Sequence, residues 1–226
     1  MTDRLEDQLR ISELEADNRR LRRLLDTRDA PGELRHRLRS TVAMLRTIIR
    51  RTAETERDFD AYVGHLEDRL DALMRAQAAA DDNGSVSLHH LLADELAHYG
   101  VSEGERVSLL GRDVEFQPRA GQVMAMAIHE LTINALEHGD LDPVGRVSVR
   151  WWVTEDTNPW LTFNWEEESQ RTTREPVREG FGMELLRQVL GYELKAEVTI
   201  SFDPEGFRCS LRFPFTEQVG HVARED

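Results

Sequence analysis

The sequence predicts an α+β protein, with a short N-terminal coiled coil, a helical hairpin and then a two-layer α/β sandwich. Three observations predict it. Up to about residue 80, apolar residues recur at three- and four-residue spacing, the helical period. A polar stretch, Asp81-Asp82-Asn83-Gly84-Ser85, then interrupts the pattern. Beyond it, helical and alternating patterns mix, as they do where helices collect on one face of a mixed or antiparallel sheet. The expected domains are residues 1–30, 31–82 and 83–226.

Each element has its own reason. In Thr2–Arg28, Ile11, Asn18 and Leu25 at a positions put Leu14 and Leu21 at d. A single polar Asn at a favours a parallel dimer in register. The pattern lasts two to three heptads, so an ordinary surface helix satisfies it too. Ala30-Pro31-Gly32 then breaks or restarts the helix. Helices follow at about Glu33–Ala53, with the stripe Leu34, Leu38, Val42, Leu45 and Ile49, and at about Asp58–Ala80, with Phe59, Tyr62, Val63, Leu66, Leu70 and Leu73. The short link between them predicts an antiparallel hairpin, and two hairpins pairing into a four-helix bundle would complete its core. Past the polar break, a helix is expected at Leu88–Tyr99, strands at Val107–Leu110 and Val114–Phe116, and a long helix at Met124–Gly139. Strands at Val147–Val153, Trp160–Trp165, Lys195–Ser201 and Phe207–Phe213, with a helix at Met183–Leu190, complete the sandwich.

A chain of 226 residues supports one substantial core and a helical appendage. Its net charge of −14 argues against a nucleic-acid partner, because an acidic surface repels a phosphate backbone. No apolar run is long enough to span a bilayer, and MTDRLEDQLR lacks a signal-peptide core. A cytoplasmic location without membrane attachment is therefore expected. The lone Cys209 cannot form an internal disulfide, and in FRCSLRF it alternates with Phe207, Leu211 and Phe213 on one strand face.

The helix MAMAIHELTINALEHG carries the strongest chemical signal. Glu130, Asn134 and His138 share one face at four-residue spacing. A carboxylate and a carboxamide one turn apart suit a hydrated Mg²⁺ on a nucleotide, with Asn134 offering its carbonyl oxygen and Glu130 orienting metal-bound water. A solvent-facing polar stripe accounts for the same spacing. Zinc is excluded, since four residues after His129 stands Ile133 where an HExxH site needs a histidine. Glu167 follows Leu161, Phe163 and Trp165 on the core side if that strand continues, where its carboxylate could accept from an adenine amino group; a loop glutamate is the alternative. Gly180-Phe181-Gly182 precedes a helix, a weak signal for phosphate binding at a helix N-terminus. The polar segment Glu168–Glu179 is either a lid or a surface loop. His36 falls two residues from Leu34 and Leu38, about 200° around the helix from the apolar stripe, so it should be exposed.

The order of these features is specific. An exposed His on a helical hairpin is followed by HExxxN on a helix, WxE after a strand and GxG before a helix. In this the chain resembles the HWE family of sensor histidine kinases, a branch with the GHKL (Bergerat-type) ATP-binding fold. The resemblance covers about Gly32–Phe215. ELRHRLRSTVAML looks like the phosphoacceptor box, IHELTINALEHGDL like the N-box and EGFGMELL like the glycine-rich phosphate loop. His129 and Trp165-Glu166-Glu167 match the His and Trp-x-Glu that name the branch. The resemblance implies ATP and Mg²⁺ as cofactors, His36 as phosphoacceptor, Glu130 as its catalytic partner and Asn134 as the magnesium ligand. It adds Gly180 and Gly182 at the phosphates, Glu167 near the adenine, and His129 and Trp165 among the nucleotide-binding residues. It also implies a homodimer that passes the phosphoryl group to an aspartate of a separate response regulator. The coiled coil would dock to a separate sensor protein or serve only to dimerise.

Two departures stand out. Ser40 occupies the place, four residues after His36, where the family carries Asn, which bears on phosphatase activity. After Trp-x-Glu the chain reads Glu168-Ser169-Gln170 in place of glycines, so the backbone would fit a nucleotide less closely. Two alternatives follow: a pseudokinase or phosphotransfer protein with weak ATP binding, and a GHKL-type switch that binds a partner.

Overall fold

The computed structural model describes residues 32–55, 58–104, 106–137, 145–168, 182, 185–203 and 206–223. The expected coiled coil and Gly180 lie outside these residues, as does most of the lid candidate. By internal contacts the chain divides between Tyr62 and Val63, and each unit is described by itself. No described helix is long and apolar enough to cross a membrane.

The first unit contains helix α1, Gly32–Thr55. Its most buried side chains are Val42, Ile48 and Thr52, with Leu45 and Ile49 half-buried and Leu38 37% exposed. The apolar stripe is therefore rotated toward Ile48 from the one expected through Leu38. The Thr52 hydroxyl donates to the Ile48 carbonyl at 2.8 Å, which lets a polar residue sit on that face.

Helix α2, Phe59–Asn83, begins in the first unit and continues into the second. It runs through the first three residues of the polar break, and Gly84 (φ 74°) closes it, with its N–H donating to the Ala80 carbonyl. Within the second unit its buried residues are Arg69, Ala72, Leu73, Ala76 and Ala80. Of the stripe expected from the sequence, Leu73 is buried, Tyr62, Val63, Leu66 and Leu70 are half-buried, and Phe59 is 41% exposed.

The second unit is a two-layer sandwich. A five-stranded mixed sheet has the order β2-β4-β5-β7-β6, from Val107–Leu110 (β2), Arg146–Val153 (β4), Trp160–Glu168 (β5), Glu197–Asp203 (β6) and Gly206–Pro214 (β7). Only the β2/β4 pair is parallel, and the remaining pairs are antiparallel. Alternation works as read: Val147, Val149 and Trp151, then Leu161, Phe163 and Trp165, then Phe207, Cys209, Leu211 and Phe213 are all buried. Burial pushes the Cys209 thiol up to about 12, with the Glu167 charge adding to the effect.

Helices α3 (Leu88–His98) and α4 (Pro118–Glu137) supply the second layer through Leu88, Leu92, Leu96, Met124, Ile128, Leu131 and Ala135. Ser87 caps α3, its hydroxyl accepting from the His90 N–H at 3.1 Å. Helix α4 starts six residues before the expected Met124, at Pro118, whose missing N–H costs nothing in the first turn. Gly121 discourages a helix in isolation, but here Val86 lies where a Cβ would be, 2.8 Å away. The helix expected at Met183–Leu190 is a π turn, Leu185–Val189, followed by a short α5, Leu190–Glu193. A small antiparallel sheet, β1 (Val86–Ser87), β3 (Val114–Phe116) and β8 (Gly220–Val222), was not legible for β1 and β8, which are too short to show a period.

Candidate nucleotide site

The α4 helix carries two clusters on different faces. On one, Glu130 is 3% exposed, Asn134 is half-buried, and Gly182 sits directly against both. A Cβ at Gly182 would lie 3.0 Å from Glu130 Oε2 and 3.2 Å from Asn134 Nδ2. Gly182 is thus a glycine because its own backbone packs on the α4 carboxylate and carboxamide. The third residue of that face, His138, lies outside the described residues.

Glu130 also has a cationic partner that the sequence reading missed. Arg69 of α2 donates through Nε to Oε1 at 2.6 Å and through Nη2 to Oε2 at 3.1 Å, and both side chains are buried. The pair is bidentate, so both carboxylate oxygens are engaged. EDRLDALMRAQ held the signal, an Arg spaced with Ala72, Ala76 and Ala80.

His129 does not join this cluster. Its Nδ1 lies 2.7 Å from Glu95 Oε1 of α3, and the imidazole is buried. Arg75 of α2 donates to the other Glu95 oxygen. Burial alone would raise the Glu95 carboxyl, but the hydrogen bonds and charges of His129 and Arg75 outweigh it and hold the group below its ordinary value. Tyr99 stacks near His129, ring centroids 6.4 Å apart, and among the described residues its buried hydroxyl has no hydrogen-bond partner. Burial and the neighbouring Glu95 charge raise its phenol, which stays protonated. The structure thus gives His129 a helix-to-helix contact.

The Trp-x-Glu segment forms a third group. Strand β5 continues through Glu168, so Glu167 stays on the core face at 4% exposure, as the alternation predicts. The fully buried Trp165 donates its indole N–H to Glu167 Oε1 at 2.7 Å. Trp165 is a core residue that orients the carboxylate from two positions away. Gly206, at φ 152°, begins β7 where a Cβ would collide with the Glu167 carbonyl oxygen. That dependence was also missed, although the DPEG turn signals a backbone position suited to glycine.

His36 lies on α1 in the other unit, and neither its imidazole nor the Ser40 side chain is among the described side chains.

Residues 33–113 match the family model described as HWE histidine kinase. Over those residues the chain is similar to the HWE histidine kinase family. It is 26% identical over 191 residues to a blue-light-activated histidine kinase of Brucella ovis, covering 83% of this chain and 39% of that one. The corresponding protein of Brucella anthropi is 27% identical over the same coverage. The chain thus spans about two fifths of the length of these curated relatives. Among solved structures, the blue-light activated histidine kinase EL346 of Erythrobacter litoralis superposes with a TM-score of 0.62 at 15% identity, covering 85% of this chain and 63% of that one. Its histidine kinase domain alone gives 0.54 at 18% identity, covering 92% and 95%. The helices and sandwich accordingly share the fold of that histidine kinase domain.

Proposed function

We propose that this chain is an HWE-type, ATP-dependent protein-histidine kinase module of two-component signalling, phosphorylated on His36. The observation that carries the reading is the meeting of Gly182 with Glu130 and Asn134, which brings a glycine-rich segment onto a carboxylate and a carboxamide one helical turn apart. The donor set fits a hydrated magnesium ion carried by a nucleotide, since Asn134 offers one hard oxygen and Glu130 a carboxylate for metal-bound water. When bound, the metal would neutralise charge on the terminal phosphates. Glu167, held by Trp165, would accept from the adenine amino group, and Gly180 with Gly182 would follow the phosphates.

Phosphoryl transfer asks chiefly for positioning and charge neutralisation. A ring nitrogen of His36 would attack the γ-phosphorus as the bond to the ADP oxygen breaks, and Glu130 would take up the imidazole proton or order the metal-bound water. The acceptor downstream would be an aspartate of a separate response regulator. The protein would act in the cytoplasm as a homodimer built from α1, α2 and the N-terminal coiled coil, with a separate sensor docking there. The functional division 1–30, 31–82 and 83–226 belongs to the same reading.

One observation favours a second reading. The capture of Glu130 by Arg69 suits a phosphotransfer protein that handles ATP poorly. Incubation with γ-labelled ATP and Mg²⁺ separates the two. A kinase yields acid-labile, base-stable label that is lost in His36→Ala and falls to background in Asn134→Ala. A phosphotransfer protein takes no label from ATP but accepts it from a phosphorylated regulator.

A further inference from the structure

Among the described residues, three hydrogen-bonded side-chain pairs and a 3.5 Å contact between His65 and Glu137 join α2 to the sandwich within the second unit. Arg69 meets Glu130, Arg75 meets Glu95, and Gln122 donates to Gln77. The first and third run in opposite senses along the two helices, so α2 lies antiparallel on α4 in a single register. Eight residues separate the two contacts on each helix, about 12 Å of rise. Between them the buried α2 residues are Ala72, Leu73 and Ala76.

Such an interface is close but not strongly apolar. Its charged groups recover hydration when the helices part, and for a buried ion pair the cost of losing water largely cancels the attraction. Parting the helices therefore costs less than the ion pairs alone suggest. Further around α2, Val63 and Leu70 are half-buried and Met74 is 67% exposed, so this helix has a second apolar surface to satisfy.

We propose that the Arg69–Glu130 ion pair is a releasable latch, which keeps Glu130 out of phosphoryl transfer while α2 is docked on α4. The proposal rests on the kinase reading for the role of Glu130. A guanidinium bonded to both oxygens takes a lone pair from each and crowds the carboxylate, so Glu130 is less able to receive an imidazole proton or order metal-bound water. Displacing α2 by a turn or more frees it, and the same displacement breaks the Arg75–Glu95 and Gln77–Gln122 contacts. Any input that moves α2 would thus reach the sandwich through one side chain.

Two variants test it. Arg69→Gln keeps a donor but removes the charge, so basal His36 labelling should rise about tenfold, within the usual range of coupling between sites. Amide exchange in residues 63–83 should also quicken. Conversely, Gln77→Cys with Gln122→Cys, bridged by a short reducible bis-maleimide, should lose labelling and regain it on reduction. Cys209 is buried, and its thiol, pushed up to about 12, does not compete for the reagent. Equal labelling of bridged and reduced protein overturns the latch. So does an Arg69→Gln variant that labels more slowly than the parent at unchanged nucleotide KM, which would make Arg69 a positioning residue. If no form is labelled, the kinase reading falls, and exchange decides the latch: faster exchange in Arg69→Gln supports it and unchanged exchange overturns it.

Discussion

Glu130 and Glu167 are buried to nearly the same degree, at 3% and 4% exposure, yet opposite kinds of partner hold them. Glu167 accepts from a neutral indole two residues away on its own strand. Glu130 is bound by a full positive charge on a helix sixty-one residues earlier in the chain. The indole contact needs only β5, because side chains at i and i+2 of a strand share a face. The guanidinium contact exists only while α2 lies on α4. One carboxylate is preset for its ligand, and the other is conditional on how two helices are packed. Adenine recognition and phosphoryl transfer would then answer to different parts of the molecule.

Three measurements would break or sharpen that contrast. The largest effect is expected at Gly206. A side chain there meets the Glu167 backbone and must adopt a left-handed conformation, so Gly206→Ala should cost about 4 kcal/mol in urea unfolding. A loss below about 1 kcal/mol would mean that the β5 end is not rigid, and that Glu167 is not preset.

Next is Trp165→Phe, which leaves the Glu167 carboxylate one donor short and opens a void in the core. About 2 kcal/mol of stability should be lost. The KM for ATP should rise about tenfold with kcat little changed, since adenine contacts serve binding rather than the chemical step. An equal fall in kcat would join the two carboxylates into one functional unit.

The smallest effect concerns the second carboxylate that anchors α2, Glu95. Its folded carboxyl is held below the ordinary 4.5, so the unfolded chain binds the additional proton in that window. Stability from this group is complete above about 4.5 and declines as pH falls through the lower folded value. Urea unfolding between about pH 3 and 6 should show this slope, and Glu95→Gln should flatten it. An unchanged slope would remove Glu95 from the charged contacts that dock α2.

Much of the fold was legible because its signals are local. The alternation in β4, β5 and β7 marked their buried faces, and the same period carried Trp165 and Glu167 to the core. The four-residue spacing of Glu130 and Asn134 put them on one α4 face. What failed to show was of two kinds. Strands β1 and β8 are too short to express a period, and Gly121, which weakens a helix start locally, is explained only by Val86 lying against it. The apolar stripe of α2 was read in part: Leu73 is buried as expected, but beside it lie Arg69, Ala72, Ala76 and Ala80, which a count of large apolar residues passes over.

The sequence by itself determined which side chains share a face: Trp165 with Glu167, and Glu130 with Asn134. Tertiary structure alone decided what each face meets. It turned His129 toward Glu95, brought Gly182 onto Glu130 and Asn134, and paired Arg69 with Glu130. The reason is geometric: periodicity within one element follows from backbone dihedrals a few residues long, whereas a contact between elements depends on the register in which they pack. Burial across the whole core sets that register, and no short stretch of chain encodes it.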